Sequence, residues 1–488
     1  MSLERENLVH SADDARGTGF EAKGVSLAMR VWLAVLIGRL AGWVSRLAGF
    51  GGSALPGLVA NRLAPGILGT LTAGLAEGAA LVTGTNGKTS TSGMAAAMLG
   101  QQGWRLVRNR AGANLISGLT TAVVEQVGWA RRPDAALFET DEATVPRAAA
   151  LVHPRVLLVT NFFRDQLDRY GELATTISLV ERGLAALRPG GTAVLNADDP
   201  AVAGLGTDLP EGVLPLYYGL ELPAAGSGEG YDTADARLCP RCGTPLEYRT
   251  RYYAHLGDYR CPGCGWERPP LMVAAVAADL AAGLLRLRVR GEVLAVPFRL
   301  PGVYNVYNAT AAAALAVAWG LPATAVAAGL ERFRPAFGRM EPLPLTKGTA
   351  WVALVKNPAG FNQVLAAVAS DPAPAKAVLV AINDRYADGR DVSWLWDVDF
   401  EHWVPRLGAD VRWWVSGRRA RDMAVRLKYA GVERAQVTVT EDAGRALAAA
   451  LAAAGSGRAL YILPTYTALL ELHRRLRQQG LVRHFREG

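Results

Sequence analysis

Residues 81–94, LVTGTNGKTSTSGM, place an apolar run, a glycine turn and a lysine followed by hydroxyl side chains in one short stretch. Few local structures take that order. LVTG reads as a buried strand, Gly84 and Gly87 let the backbone curl tightly, and Lys88-Thr89-Ser90 opens a helix. A strand ending in such a turn aims backbone N–H groups and a helix N-terminus at one point, which suits a phosphate. Thr85 and Asn86 lie within the turn. Lys88 would reach the β- and γ-phosphates of ATP, and the Thr89 hydroxyl would meet Mg2+. The glycine that opens the usual form of this loop is absent, so the loop is a variant.

The surrounding chain fits an α/β architecture. From about 70 to 335, β-rich runs such as AALFET, VLLVTN and TAVLNAD alternate with alanine-rich helical stretches, which predicts a largely parallel sheet. A second alternating series starts near 350, with WVALVKN, KAVLVAIND, VRWWVSG, QVTVTED and ALYILPTY as its strands. At 488 residues the chain is too long for one ordinary core. The reading divides it into a flexible tail (1–24), an N-terminal helical segment (25–70), a central nucleotide-binding domain (71–340) and a smaller C-terminal α/β domain (341–488).

Residues 25–50 form the only membrane candidate. Arg30, Arg39 and Arg46 interrupt the run too often for an easy transmembrane span. Two readings stay open: a helix packed on the protein body, or one lying on a membrane surface. A net charge of +8 is mild for this length, suits anionic ligands or an anionic surface, and does not indicate nucleic acid.

All four cysteines fall between 239 and 264, as CPRC and CPGC. Two such knuckles converge on one tetrahedral Zn2+, and Cys239, Cys242, Cys261 and Cys264 would close it to water. The pattern predicts a zinc ribbon inserted at 235–270, structural rather than catalytic. It also argues against a disulfide framework and for a reducing, cytoplasmic compartment. Tyr248, Tyr252, Tyr253 and Tyr259 could stack bases on such a ribbon or form its core.

The motifs together resemble the Mur ligase superfamily, whose members join a carboxylate to an amine through an acyl phosphate. GTNGKTS resembles its ATP loop. FETDEATVP supplies Glu139, Asp141 and Glu142 at a strand end, where the resemblance implies Mg2+ ligands, with Glu139 and Glu142 favoured beside Thr89. TNFFRDQLDRYGE and LNADDP resemble the segments that follow. PGVYNVYN resembles a helix that brings Asn305 and Asn308 to the nucleotide, and GRME resembles the step, through Arg339, into the C-terminal domain. The implied fold is α/β: a central Mur ligase ATPase domain with a parallel sheet and P-loop, the four-cysteine zinc ribbon inserted in it, and a Rossmann-like C-terminal domain.

Two features depart from amino-acid-adding members. Val180 and Glu181 stand where a carbamate-forming lysine is usual, and LVKNPAGFN (354–362) replaces the usual C-terminal segment. Glu139, Glu142 and Asp165 are candidates for the second metal. These departures, the four cysteines and the acidic stretch AINDRYADGRDVSWLWDVDFE (381–401) resemble the MurT family. That resemblance implies amidation of the D-glutamate α-carboxylate of lipid II, with ammonia from a GatD-type glutaminase partner. It assigns Asp391, ahead of Asp388, to completing that partner's Cys-His pair, with Arg390, Trp394 and Trp396 as interface anchors. Asp391 as a simple loop cap is the plainer reading. The lipid tail of such a substrate would give residues 25–50 a reason to contact membrane. The alternatives are a folylpolyglutamate-synthase-like ligase that adds an amino acid, and an ATP-binding zinc-ribbon protein that binds nucleic acid.

Overall fold

Strand, turn and helix repeat along the chain to build two sheets with helices on their faces. The computed structural model describes residues 17–47, 54–109, 112–128, 132–163, 173–223, 238–335, 338–345 and 349–482. Asp165 and its turn therefore lie outside the described residues.

The central sheet contains β1 (Gly78–Thr83), β2 (Leu106–Arg108), β3 (Ala135–Glu139), β4 (Val156–Val159), β5 (Thr192–Asn196), β6 (Leu214–Leu220), β9 (Val273–Asp279), β10 (Leu284–Val289) and β11 (Glu292–Pro297). Its order is β11-β10-β9-β6-β5-β4-β1-β3-β2. The strands from β2 to β9 pair in parallel, and β10 and β11 extend that edge antiparallel. Helices cover both faces, so successive residues of one strand enter different cores: Ala80 and Val82 pack on one side, Ala79 and Leu81 on the other. This is why the strands read as unbroken apolar runs. The antiparallel edge lies outside the parallel pattern expected from the sequence.

The ribbon is the hairpin of β7 (Glu247–Tyr253) and β8 (Leu256–Arg260). The second sheet holds β12 (Arg339–Pro344), β13 (Thr349–Ala353), β14 (Ala375–Ala381), β15 (Asp410–Ser416), β16 (Val437–Val439) and β17 (Ala459–Pro464), in the order β12-β13-β17-β14-β15-β16. All its pairs are parallel except β12–β13. Strand β12, at the junction of the two domains, is absent from the sequence-based reading.

Helix α1 (Gly17–Leu47) begins ahead of the boundary drawn at 25. It lies against α2 (Leu55–Leu63), and Val31, Ala34 and Val35 pack with Ala60 and Val124. Gly38 and Gly42 permit the approach, because a Cβ at either would fall within 3 Å of Pro56. The arginines that interrupt the apolar run turn toward the body. Arg30 donates to the Leu63 carbonyl, Arg39 to the carbonyls of Val124 and Val127, and Arg46 to Glu125.

Candidate functional site

Strand β1 delivers the chain to Gly84-Thr85-Asn86-Gly87, and α3 (Lys88–Leu99) leaves it. Both glycines have positive φ, 115° at Gly84 and 89° at Gly87. Neither place has room for a side chain. A Cβ at Gly84 would sit 2.3 Å from Thr160 Oγ1, and one at Gly87 2.2 Å from Asn308 Oδ1. The turn is held from the end of β4, where the Thr85 amide donates to the Asn161 carbonyl and the Asn86 amide to Asn161 Oδ1. Thr160 and Asn161 in turn donate to the Asn86 carbonyl.

Lys88 points back over this turn. Its Nζ donates to the Gly84 carbonyl and to both oxygens of Glu142, at 3.1 and 3.2 Å. Burial alone would lower the Lys88 pKa, but Glu142, with Glu139 and Asp141, overrides it and holds the ammonium above its ordinary value. Burial would likewise raise Glu142, yet Lys88 and Lys356 bring it below the usual carboxylate range. The acids expected to serve Mg2+ thus surround the phosphate-loop lysine. Thr89 Oγ1 accepts from Arg339 Nη2 at 3.3 Å, and burial lowers Arg339 against the field of Glu139. Glu139 is fixed by Asn109, which both donates to its carbonyl and accepts its amide. Thr89, Glu139 and Glu142 are oxygen donors near the loop, the donor type Mg2+ prefers.

Helix α4 (Val303–Ala318) places Asn305 and Asn308 on the face toward the loop. Asn308 Nδ2 donates to Asn305 Oδ1, and Thr91 donates to Asn308 Oδ1. All the expected nucleotide residues with described side chains gather in this region. One cavity is lined by Asn86, Gly87, Ser90, Asn308 and Arg339, and also by residues that the motif reading did not assign: Asn161, Tyr253, Tyr304, Tyr307, Lys356 and Gln363.

Its far wall comes from the C-terminal domain. Asn357 caps α5 (Pro358–Ser370) by accepting from the Gly360 amide, and its Nδ2 donates to Asn86 Oδ1 at 3.1 Å. The segment KNPAGFN, read in the sequence as a departure from amino-acid-adding ligases and a MurT-family feature, therefore lines this cavity. Of the two residues in the neighbourhood of the usual carbamate lysine, Val180 is fully buried in the core and Glu181 is exposed to solvent.

The four cysteine sulfurs lie within 4.8 Å of one another, with Cys239–Cys264 at 3.7 Å and Cys242–Cys261 at 3.4 Å. Tetrahedral zinc with Zn–S of about 2.3 Å needs sulfurs about 3.8 Å apart, so the donor set fits the ion. Each knuckle closes on a left-handed glycine, Gly243 or Gly265. The ribbon tyrosines turn inward: Tyr259 and Tyr253 are buried, and Tyr252 donates to the Leu220 carbonyl. The hairpin tip docks into the central domain, with His255 Nε2 3.3 Å from Asp199 Oδ2, Gly257 donating to the Asp198 carbonyl, and Tyr253 packed edge-on against Tyr307.

Two acids of the 381–401 stretch separate cleanly. Asp388 is buried and accepts from the amide and hydroxyl of Thr467, in the first turn of α6 (Tyr466–Gln478). Asp391 is exposed and accepts from the amide and hydroxyl of Ser393, which lowers its pKa. The two tryptophans differ as well. Trp394 packs inward beside Phe361, so only Trp396, half exposed against Tyr429 and Arg426, fits the expected surface anchor.

Residues 82–219 match the Mur ligase middle domain and residues 354–469 the MurT ligase C-terminal domain. The chain is 32% identical to the Streptococcus pneumoniae lipid II isoglutaminyl synthase (glutamine-hydrolyzing) subunit MurT, over 93% of this chain and 99% of that protein. It is 33% identical to the Staphylococcus aureus protein of the same name, over 90% and 96%. A pseudomurein peptide ligase type C from Methanothermus fervidus shares the fold, with a TM-score of 0.63, 22% identity, and coverage of 84% of this chain and 80% of that one.

Proposed function

The chain belongs to the MurT family, and from that premise we propose how it performs its reaction, which partner it needs and which ions it holds. It is an ATP-dependent carbon–nitrogen ligase, the synthetase subunit of a lipid II isoglutaminyl synthase. The α-carboxylate of the D-glutamyl residue attacks the γ-phosphorus of ATP, forming an acyl phosphate and releasing ADP. Ammonia then adds to the acyl carbon, phosphate leaves, and the added nitrogen loses a proton to give the amide.

The observation that carries this reading is the phosphate loop closed from the C-terminal domain by Asn357 on Asn86. ATP phosphates would enter where Lys88 now meets Glu142, and they compete with that carboxylate for the same ammonium. Lys88, the loop amides and Arg339 would stabilise charge on the transferring phosphoryl group. Mg2+, held by Thr89, Glu139 and Glu142, would offset the remaining negative charge. Asn305 and Asn308 shape the nucleotide side of the cavity.

Ammonia comes from a separate GatD-type glutaminase. All four cysteines of this chain are gathered in the ribbon, where we assign them to Zn2+, leaving none to hydrolyse glutamine. Asp391, exposed and held by Ser393, is the acid available to orient a partner's histidine. The use of ATP and cysteines that form no disulfide suit the cytoplasmic side. Inward-turned ribbon tyrosines argue against a nucleic-acid surface.

The test is ADP release by the purified chain given a lipid II analogue and ammonium chloride. The reading predicts turnover and a product in which amide replaces acid. Turnover only with an added amino acid, and a product longer by one residue, would point to an ordinary amino-acid-adding ligase.

A further inference from the structure

Between Ala28 and Leu47 the arginines of helix α1 reach the protein rather than solvent. Arg30, Arg39 and Arg46 all bond to the body, and the small residues Gly38 and Gly42 lie against Pro56. What remains outside is a stripe of Met29, Leu33, Leu36, Leu40, Trp43 and Leu47, each more than half exposed. At the helical rise it runs about 27 Å along the axis. On the adjoining helix α2, Leu55, Leu58 and Leu63 are exposed as well. A patch of this size on one face marks a docking surface.

We propose that this face docks on an anionic lipid bilayer, with α1 lying in the headgroup plane. The charge distribution selects this occupant. Between Glu21 and Glu77 the sequence contains no acidic residue and five basic ones, Lys23, Arg30, Arg39, Arg46 and Arg62. An aromatic residue, Trp43, sits within the stripe and is half exposed, the amphipathic ring type that favours the headgroup level. The stretch Ala28–Leu47 is long and apolar enough to cross a membrane, but a third of it is buried against the body. Crossing would strip Arg39 and Arg46 of their partners. The helix therefore lies on the surface rather than spanning it.

This inference rests on the lipid-linked substrate proposed above for its purpose, though not for its geometry. Docking α1 would keep the chain in the plane where such a substrate resides, converting a search in solution into one along a surface.

The test is flotation of the full chain with vesicles of equimolar phosphatidylglycerol and phosphatidylcholine, containing no lipid II. The chain should float, and the triple variant Leu33→Asn/Leu36→Asn/Leu40→Asn should bind at least tenfold more weakly. Leu36→Glu, a milder change that faces an acid toward the headgroups, should also weaken binding. Both variants should keep ammonium-driven turnover on a water-soluble stem-peptide substrate, which separates docking from the proposed chemistry. A parent chain that does not float, or variants that float equally, would overturn the proposal. So would a concentration-dependent dimer, or a complex with the glutaminase, that the triple variant abolishes; either would assign the stripe to a protein.

Discussion

Asn357 and Asn86, 271 positions apart in the chain, join side chain to side chain at 3.1 Å and tie the C-terminal domain to the phosphate loop. Asn357 has two tasks, since its oxygen also caps α5. They can be separated. Asn357→Ser keeps a capping oxygen but loses the amide donor, so it should hold the melting temperature while lowering kcat by about 10- to 100-fold, the range for a misplaced reacting group. Asn357→Val should lower both, with about 1 kcal/mol lost from the cap. Steady-state kinetics and thermal melts of the two variants check this.

The Lys88–Glu142 pair makes stability depend on pH at both ends. Glu142 is depressed in the fold, so its contribution is present above the ordinary carboxylate pKa, about 4.3, and is lost as pH falls through the depressed value. Lys88 is raised, so its contribution is present below about 10.4 and is lost as pH rises through the raised value. Melting temperature should therefore be flattest near neutrality. Glu142→Gln should remove part of the acid-side slope, and Lys88→Met should lower phosphoryl transfer by about 100-fold or more. Melts of parent and variants across pH, with ADP release at neutral pH, measure both effects.

The ribbon reaches the cavity beside Gly87, where we place the nucleotide, through Tyr253. Cys239→Ser should lose bound zinc, lower the melting temperature and weaken ATP-analogue binding. Tyr253→Ala should weaken binding by about tenfold through lost ring packing while retaining the metal. Metal content and calorimetric Kd, measured on the same samples, distinguish the two routes. Unchanged affinity in both variants would uncouple ribbon from pocket.

Asp391 and Asp388 should behave oppositely. Asp391→Asn keeps an oxygen for Ser393 and should leave ammonium-driven amidation unchanged, while glutamine-driven amidation with the partner falls about a thousandfold or more. Asp388→Asn weakens the anchor to Thr467, so it should lower the melting temperature and both activities together. Rates with each nitrogen source decide the matter.

The strand–turn–helix at Gly84–Lys88 and the cysteine knuckles were legible because each is set by residues adjacent in sequence. Gly84, Gly87 and Lys88 act through local backbone geometry, and the two CxxC turns hold their sulfurs at fixed spacing. Both strand series were readable for the same reason, as buried runs bounded by turns. Asn357 was not, because nothing near KNPAGFN reveals that the chain returns to Asn86. Nor could the sequence show that Tyr253 of the ribbon lines the cavity beside Gly87, or that Trp394 turns inward while Trp396 does not. The arginines of α1 were read from the sequence as interruptions that oppose a membrane span; what the sequence could not show is that each reaches a partner on the body, which leaves the outer apolar stripe unbroken.

The central claim is that this chain activates a carboxylate as an acyl phosphate. The most direct test labels the substrate's α-carboxylate with oxygen-18 and follows the label during ammonium-driven turnover. The account predicts a labelled oxygen in the released inorganic phosphate, with ADP as coproduct. Unlabelled phosphate accompanying amide product, or label appearing in AMP, would contradict it.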